Sequence, residues 1–386
     1  MRIENLEIRN YRLFRHVKLR HLPHLTIVVG ANGSGKSTLF DVFTFLKDAL
    51  THNVAVAVMR RGGFEELVSR GSDGPIGITV QFRESGGRLA TYILEITLQE
   101  GRVVVAREVL RYRRGQYGRP WHLVDFRSGE GSAITNESVY GQEGVKEERE
   151  GFKLDDSSVL AIKGLGQFQR FRVVSEFRSL IENWHISAAR PSVEAGYAEH
   201  LSTQRDDLAQ VAQYLYQRHP ECFERVLRAM SDRIPGVSGV EAKPTVDGRL
   251  VLRFRDDAFR DPFIARFVSD GTIKMFACLI LLYDPRPHLL LAVEEPENQL
   301  YPDLLLELIE EFREYARRGG QAFVSTYSPL FLNGAELNEV YWFAKENGFT
   351  RVRRASTDQL LKQLLDEGDK LGTLWRQGLF EGASPR

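Results

Sequence analysis

Between Leu25 and Phe40 the sequence runs LTIVVGANGSGKSTLF, and Gly30, Gly35, Lys36 and Ser37 fall on the spacing G-x-x-x-x-G-K-[ST]. Glycines at these positions let successive backbone N–H groups close around an anion, and a helix that starts at Lys36 adds the partial positive charge of its N-terminus. The chemistry is that of a triphosphate cradle. Asn32, Gly33, Ser34 and Gly35 line the loop, and Lys36 is spaced to reach the β- and γ-phosphates. The Ser37 hydroxyl is placed to ligate a Mg²⁺ held between them, and Thr38 lies one residue deeper, near the α-phosphate. Such a spacing also arises by chance, so its flanks decide. Leu25, Ile27, Val28 and Val29 form an apolar, β-branched run before the loop, and Leu39, Phe40, Val42, Phe43 and Leu46 give a helical stripe after it.

The second half supplies the complementary groups. Leu289 to Pro302 reads LLLAVEEPENQLYP, an apolar strand that ends in two carboxylates. Glu294 is suited to orient the water shell of the metal, and Glu295 to polarise the water that attacks the γ-phosphate. Upstream, in FVSDGTIK, Ser269 and Asp270 can cap a helix whose apolar stripe begins at Ile273, which aims free N–H groups at an anion. An ordinary helix cap is the competing explanation of that stretch.

The elements that must position these groups are visible as patterns. Ile3, Leu6 and Ile8 alternate, as do Val17 and Leu19, so two short strands lead into the Leu25–Val29 strand. Between them RNYRLFRH reads equally as a polar turn or as a place from which Arg9, Arg12 or Arg15 reaches the nucleotide. Alternating runs at 76–82, 90–98 and 103–112, with 121–126 as a fourth, predict an antiparallel meander. Arg102, Arg107, Arg111, Arg113, Arg114 and Arg119 lie on or beside it, as a solvated face or as a surface for a DNA backbone. Residues 129–156 are polar and rich in glycine and glutamate, the composition of a loop with a hairpin at most. Helical periodicity returns at 174–184 and again over 207–234, closed by Pro235 and Gly236, and Leu250, Leu252 and Phe254 give another strand. After the paired acids, 358–365 reads as a short amphipathic helix, and 371–380 packs back on the body.

Composition narrows the class. The 386 residues carry 52 basic and 52 acidic side chains, so no global field favours nucleic acid or an anionic membrane, and a DNA contact needs a local patch. Cys222 and Cys278 are the only cysteines and have no metal spacing. No signal-peptide core opens the chain, and its most apolar stretch, 273–282, breaks at YDPRPH well short of a membrane span. A cytoplasmic protein is expected.

Taken together, the P-loop, SDGT and EEPEN resemble the ABC-type ATPase heads of the RecF/SMC kind, and more closely the bacterial ATPases related to the overcoming-lysogenization-defect proteins. The opening IENLEIRNYRLFRHVKL is similar to the strand-turn-strand that begins such heads, and QAFVSTYSP to their switch strand. The resemblance implies an α/β P-loop NTPase with a mixed sheet, an antiparallel β lobe and a helical subdomain. We place an N-terminal lobe at 1–173, the helical subdomain at 174–245 and a C-terminal lobe at 246–386. It further implies ATP and Mg²⁺ as cofactors and a head-to-tail homodimer on ATP binding, in which Ser269, Asp270 and Gly271 of one copy cover the γ-phosphate held by the other. DNA and a separate nuclease or effector are the further partner classes, in DNA repair or in defence against mobile DNA. The alternative is a nucleotide-gated module with little turnover that recruits an effector.

Two departures stand out. Tyr327 occupies the place of the switch histidine, and Leu300-Tyr301-Pro302 replaces the usual Leu-His-Pro. Tyrosine can donate a hydrogen bond but does not carry a proton near pH 7 as histidine does, so turnover is expected to be slow. A Q-loop glutamine belongs at the end of the first lobe; Gln167 is the choice, with Gln169 and Gln81 as alternatives. The nuclease domain of DNA-cutting relatives is not expected, since no D-x-D cluster follows Pro329. Adenine is inferred because no guanine-reading N-K-x-D is present.

Overall fold

The computed structural model describes residues 1–112, 121–137, 146–187, 208–234, 236–244 and 250–383. The chain opens with the antiparallel pair β1 (Arg2–Tyr11) and β2 (Phe14–Arg20), then β3 (Leu25–Gly30), which the glycine-rich turn joins to α1 (Lys36–Thr51). Short helices α2 (Val54–Met59) and α3 (Phe64–Leu67) precede β4 (Ile76–Arg83), β5 (Leu89–Gln99), β6 (Arg102–Tyr112), β7 (Trp121–Arg127), β8 (Glu130–Ile134) and β9 (Arg149–Lys153). With β1 and β2 these build an eight-stranded antiparallel sheet in the order β2-β1-β4-β5-β6-β7-β8-β9. Next come α4 (Ala161–Leu165), α5 (Arg172–Glu182), β10 (Trp184–Ser187), α6 (Leu208–Arg218) and α7 (Pro220–Arg233). A three-stranded sheet of β11 (Val237–Pro244), β12 (Leu250–Asp256) and β13 (Phe263–Ile264) leads to α8 (Asp270–Leu282). The rest is β14 (Leu290–Glu294), α9 (Leu304–Arg317), β15 (Ala322–Ser325), α10 (Pro329–Asn333), the hairpin β16 (Val340–Glu346) and β17 (Phe349–Arg354), α11 (Gln359–Asp366) and α12 (Leu371–Arg376).

A second, six-stranded sheet is ordered β10-β14-β15-β3-β16-β17, parallel throughout except for β17. Every residue of β3 and β15 is buried. That pattern is what a parallel strand covered on both faces requires. Alternate side chains enter different cores. Val28, Ala292, Phe323 and Phe343 pack with α1 and the antiparallel sheet, whereas Ile27, Val29, Val293, Val324 and Trp342 pack with α7, α8 and α9. Gln321 ties the two sheets at one point: its amide accepts from the backbone N–H of Ile3 at 2.9 Å and donates to the Ile3 carbonyl at 2.8 Å.

Several expectations are corrected. The segment 174–245 is not a helical unit: α5 packs on α1, β10 is an edge strand of the central sheet, and β11 belongs to the small sheet. Four residues of buried strand, WHIS, are too few to show a period. The helical run over 207–234 is two helices, because Pro220 has no N–H to continue the first and instead opens the second. Over 129–156 the hairpin that the composition allows is present as β8 and β9, which extend the antiparallel sheet. Arg107 and Arg111 sit across from Glu95 and Thr91 on β5, while Arg113, Arg114 and Arg119 lie outside the described residues.

Within the antiparallel lobe, Glu108 is 1 % exposed and uses its carboxylate as the missing cap of α4. It accepts from the N–H groups of Ala161 (2.5 Å) and Ile162 (3.1 Å) and from the Tyr92 hydroxyl (3.1 Å). Burial outweighs these bonds and raises its pKa from 4.5 to about 7. The folded chain therefore holds this proton where the unfolded chain has lost it, so the contribution is full below pH 4.5 and is lost as pH rises through about 7. Thermal unfolding from pH 5 to 8 should show a Tm decline in the wild type that Glu108→Gln reduces.

Candidate active site

The P-loop is shaped by close approaches that only glycine permits. Gly35, at φ +106°, is the N-cap of α1, and a Cβ there would stand 2.3 Å from Thr350 Oγ1 and 2.9 Å from Phe14 Cε1. Gly30 lies against the Phe343 carbonyl, 2.4 Å from where its Cβ would be. The loop is thus braced by the β16–β17 hairpin, and the Thr350 hydroxyl donates to the Ser34 carbonyl at 2.6 Å. Thr350 and this brace were missed in the sequence, although VYWFAKE, Asn347-Gly348 and FTRVRR carry a strong hairpin signal. Asn32, Gly33 and Ser37 are exposed, whereas Ser34, Lys36 and Thr38 are buried.

Lys36 Nζ donates to the carbonyls of Gly30 (2.6 Å) and Ala31 (3.2 Å) and lies 3.6 Å from the centroid of the Tyr327 ring. A desolvated ammonium on an aromatic face is worth up to about 2 kcal/mol. Burial lowers its pKa to about 8, against the raising effect of Glu295, Glu294 and Glu297. Ser37 Oγ donates to Glu294 Oε2 at 2.9 Å, so the hydroxyl after the P-loop lysine and the carboxylate that ends β14 face each other across 257 residues of sequence. Glu294 is pushed up by burial, opposed by that bond. No group of three or more His, Cys, Asp or Glu capable of holding a metal exists among the described residues. One hydroxyl and one carboxylate beside a triphosphate are nevertheless the donor set that suits Mg²⁺, which keeps waters and phosphate oxygens as its other ligands.

Glu295 follows directly, with its N–H continuing the ladder to the Ser325 carbonyl at 3.0 Å and φ at +49°. A left-handed non-glycine residue costs on the order of 1–3 kcal/mol and persists only where its surroundings impose it. Here the turn imposes it: Asn298 Nδ2 donates to Glu295 Oε2 at 2.7 Å, and its N–H to the Glu295 carbonyl at 3.2 Å. The same turn holds Glu297, another residue that sequence reading passed over. Its Oε1 accepts from Thr326 Oγ1 (2.6 Å) and from the Tyr327 N–H (2.8 Å). These partners lie 29 and 30 residues away, so nothing local marks them. Burial raises the Tyr327 pKa, with the carboxylates of Glu295, Glu294 and Glu297 adding to it, and the hydroxyl stays neutral.

The SDGT corner sits on this turn from the other side. Ser269 caps α8, accepting from Thr272 N–H at 3.1 Å, so its hydroxyl is engaged as a cap while the residue remains exposed, as does Asp270. Gly271 lies against the Gln299 carbonyl, which a Cβ would meet at 2.6 Å, and Lys274 Nζ donates to the Glu295 carbonyl at 3.2 Å. Among the arginines of the first turn, Arg12 pairs with Asp41 on α1 at 3.0 Å, while Arg9 pairs with Glu7 and Arg15 lies over the Phe349 ring. Gln167 is not brought to the site. It bonds to the Lys163 carbonyl, and Lys163 holds the carbonyls of Thr51 and His52 at the far end of α1, about 24 Å of helix from Lys36. Gln169, two residues on, is exposed, and Gln81 bonds Asn5 in the antiparallel sheet.

The phosphate loop, the paired acids and the parallel sheet between them define a P-loop NTPase. Comparison with known proteins agrees: the family model described as "AAA domain, putative AbiEii toxin, Type IV TA system" matches residues 25–333, and the chain belongs to that family of AAA ATPase domains. Among solved structures, the SmcHead bound to the C-winged helix domain of ScpA is similar with a TM-score of 0.52 at 16 % identity, covering 92 % of this chain and 98 % of that one. The Smc head domain with an extended coiled coil, bound to the C-terminal domain of ScpA derived from Pyrococcus furiosus, aligns with a TM-score of 0.51 at 14 % identity over 95 % and 99 % of the two chains. The fold is that of an SMC head. No curated protein matches the sequence. No helix among the described residues is long and apolar enough to cross a membrane.

Proposed function

We propose that this chain binds ATP and hydrolyses it to ADP and phosphate as one half of a nucleotide-sandwiched homodimer. The observation that carries the reading is the 2.9 Å bond between Ser37 and Glu294, with buried Lys36 beside it. Lys36 and the N–H groups of 32–35 hold the β- and γ-phosphates, Thr38 and Arg12 flank the α-phosphate side, and Glu295 orients the attacking water. Ser37 and Glu294 would hold Mg²⁺, which when bound offsets charge on the phosphate oxygens. Exposed Ser269 and Asp270, with Gly271, complete the partner's site. Gln167 has no part in it.

The setting rests on likeness alone. The resemblance to overcoming-lysogenization-defect and RecF ATPases leaves DNA repair and defence against mobile DNA both open, and the family's description as "putative AbiEii toxin, Type IV TA system" favours defence. The Smc heads it resembles are described bound to ScpA domains, which supports a separate effector protein as partner here. A second reading, a nucleotide-gated module with little turnover, is favoured by Tyr327, whose hydroxyl stays neutral and does not take up a proton near pH 7 as a histidine does. Sedimentation of the purified chain tests the dimer: its mass should double with Mg-ATP and fall back when the metal is chelated. An unchanged mass at saturating ATP removes the sandwich and leaves the ATP site.

A further inference from the structure

We propose that Glu297 is the positioning residue of the switch: its carboxylate anchors the backbone N–H of Tyr327 and thereby sets the tyrosine ring on the Lys36 ammonium. The inference rests on the ATPase reading above. Glu297 is 9 % exposed, and one oxygen does all the visible work, accepting from Thr326 Oγ1 at 2.6 Å and from Tyr327 N–H at 2.8 Å. The other, Oε2, is buried with no partner among the described residues. A buried acid with half its acceptors unused is costly, so its retention needs a reason other than closing a turn.

The geometry supplies that reason. Thr326 Oγ1, held by Glu297, in turn accepts from the Ser328 N–H at 2.9 Å, and Ser328 caps α10. Both peptides around Tyr327 are therefore pinned to the turn that carries Glu295. The ring centroid, 3.6 Å from Lys36 Nζ, depends on that pinning, because beyond Thr326 the backbone has left the β15 strand and its ladder. Loss of the anchor lets the ring shift relative to the lysine that must meet the transferring phosphate. Small misplacements of this kind reduce the rate more than they reduce ground-state binding.

The test compares Glu297→Ala, Glu297→Gln and Thr326→Val in the full chain, by steady-state phosphate release and by binding of a fluorescent ATP analogue. Alanine should lower kcat by about tenfold or more with KM and analogue affinity within about twofold. Glutamine keeps an oxygen that can take both donated bonds, and should recover most of the rate. Thr326→Val, which removes one of the two bonds to Glu297 together with the acceptor of the Ser328 N–H but leaves the Tyr327 N–H anchored, should fall between and serves if the alanine variant does not fold. The proposal is overturned if the alanine variant turns over like the wild type, if glutamine is as slow as alanine, or if KM alone rises. A wild-type chain that releases no phosphate sinks the ATPase reading and this inference together, whereas an active wild type with an unchanged alanine variant sinks only the inference.

Discussion

Glu295→Gln should cut phosphate release by about 10²- to 10⁴-fold, the range of a lost general base, while ATP remains bound. The amide keeps the size of the side chain and can still meet Asn298, which now donates to Glu295 Oε2 at 2.7 Å, so the strained turn survives. What disappears is the charge that, in the proposed mechanism, polarises water. Because the ATP-bound form then accumulates, the same variant should sediment at twice the monomer mass in Mg-ATP for longer than the wild type does. Phosphate release by the wild type no faster than by Glu295→Gln would leave only the nucleotide-gated module.

Lys36→Ala should weaken ATP binding by about 100-fold or more, which is roughly 3 kcal/mol by calorimetric titration. The size of the effect follows from what surrounds the ammonium. Burial lowers its pKa and the carboxylates of Glu295, Glu294 and Glu297 oppose that lowering, so removing the ammonium leaves three carboxylates with less compensation facing an incoming triphosphate. Lys36 has a second, independent signature. Burial puts its pKa at about 8, and phosphates favour the charged form, so binding takes up a proton above that pH. Wild-type affinity should therefore decline as pH rises through about 8, and the Lys36→Ala variant should lack this component of the decline. A wild-type affinity that is flat across that range, as in Lys36→Ala, would mean that the lysine takes up no proton on binding there.

How much of this was legible depended on the range of the interaction that fixes each part. The P-loop and the strand ending in Glu294 and Glu295 were readable because a fully buried parallel strand is an unbroken apolar run and its end is marked by polar residues. The meander was readable because one covered face writes a period of two. Hidden were features made by contacts across the chain. Thr350 reaches Ser34 over 316 residues, and Gln167, whose only signal is its place at the end of a lobe, bonds at the far end of α1. Strand β10 was invisible because its role comes from pairing with β14, not from its own four residues. In sequence Glu297 is one more acid in an acidic turn, and only its partners near Tyr327 distinguish it.

The fit of Gly271 against the Gln299 carbonyl, with Lys274 on the carbonyl of Glu295, joins the start of α8 to the turn after β14. In the proposed homodimer the corner offered to the neighbour would then be continuous with the turn that serves the subunit's own nucleotide, and a rearrangement at one triphosphate would reach the cover of the other.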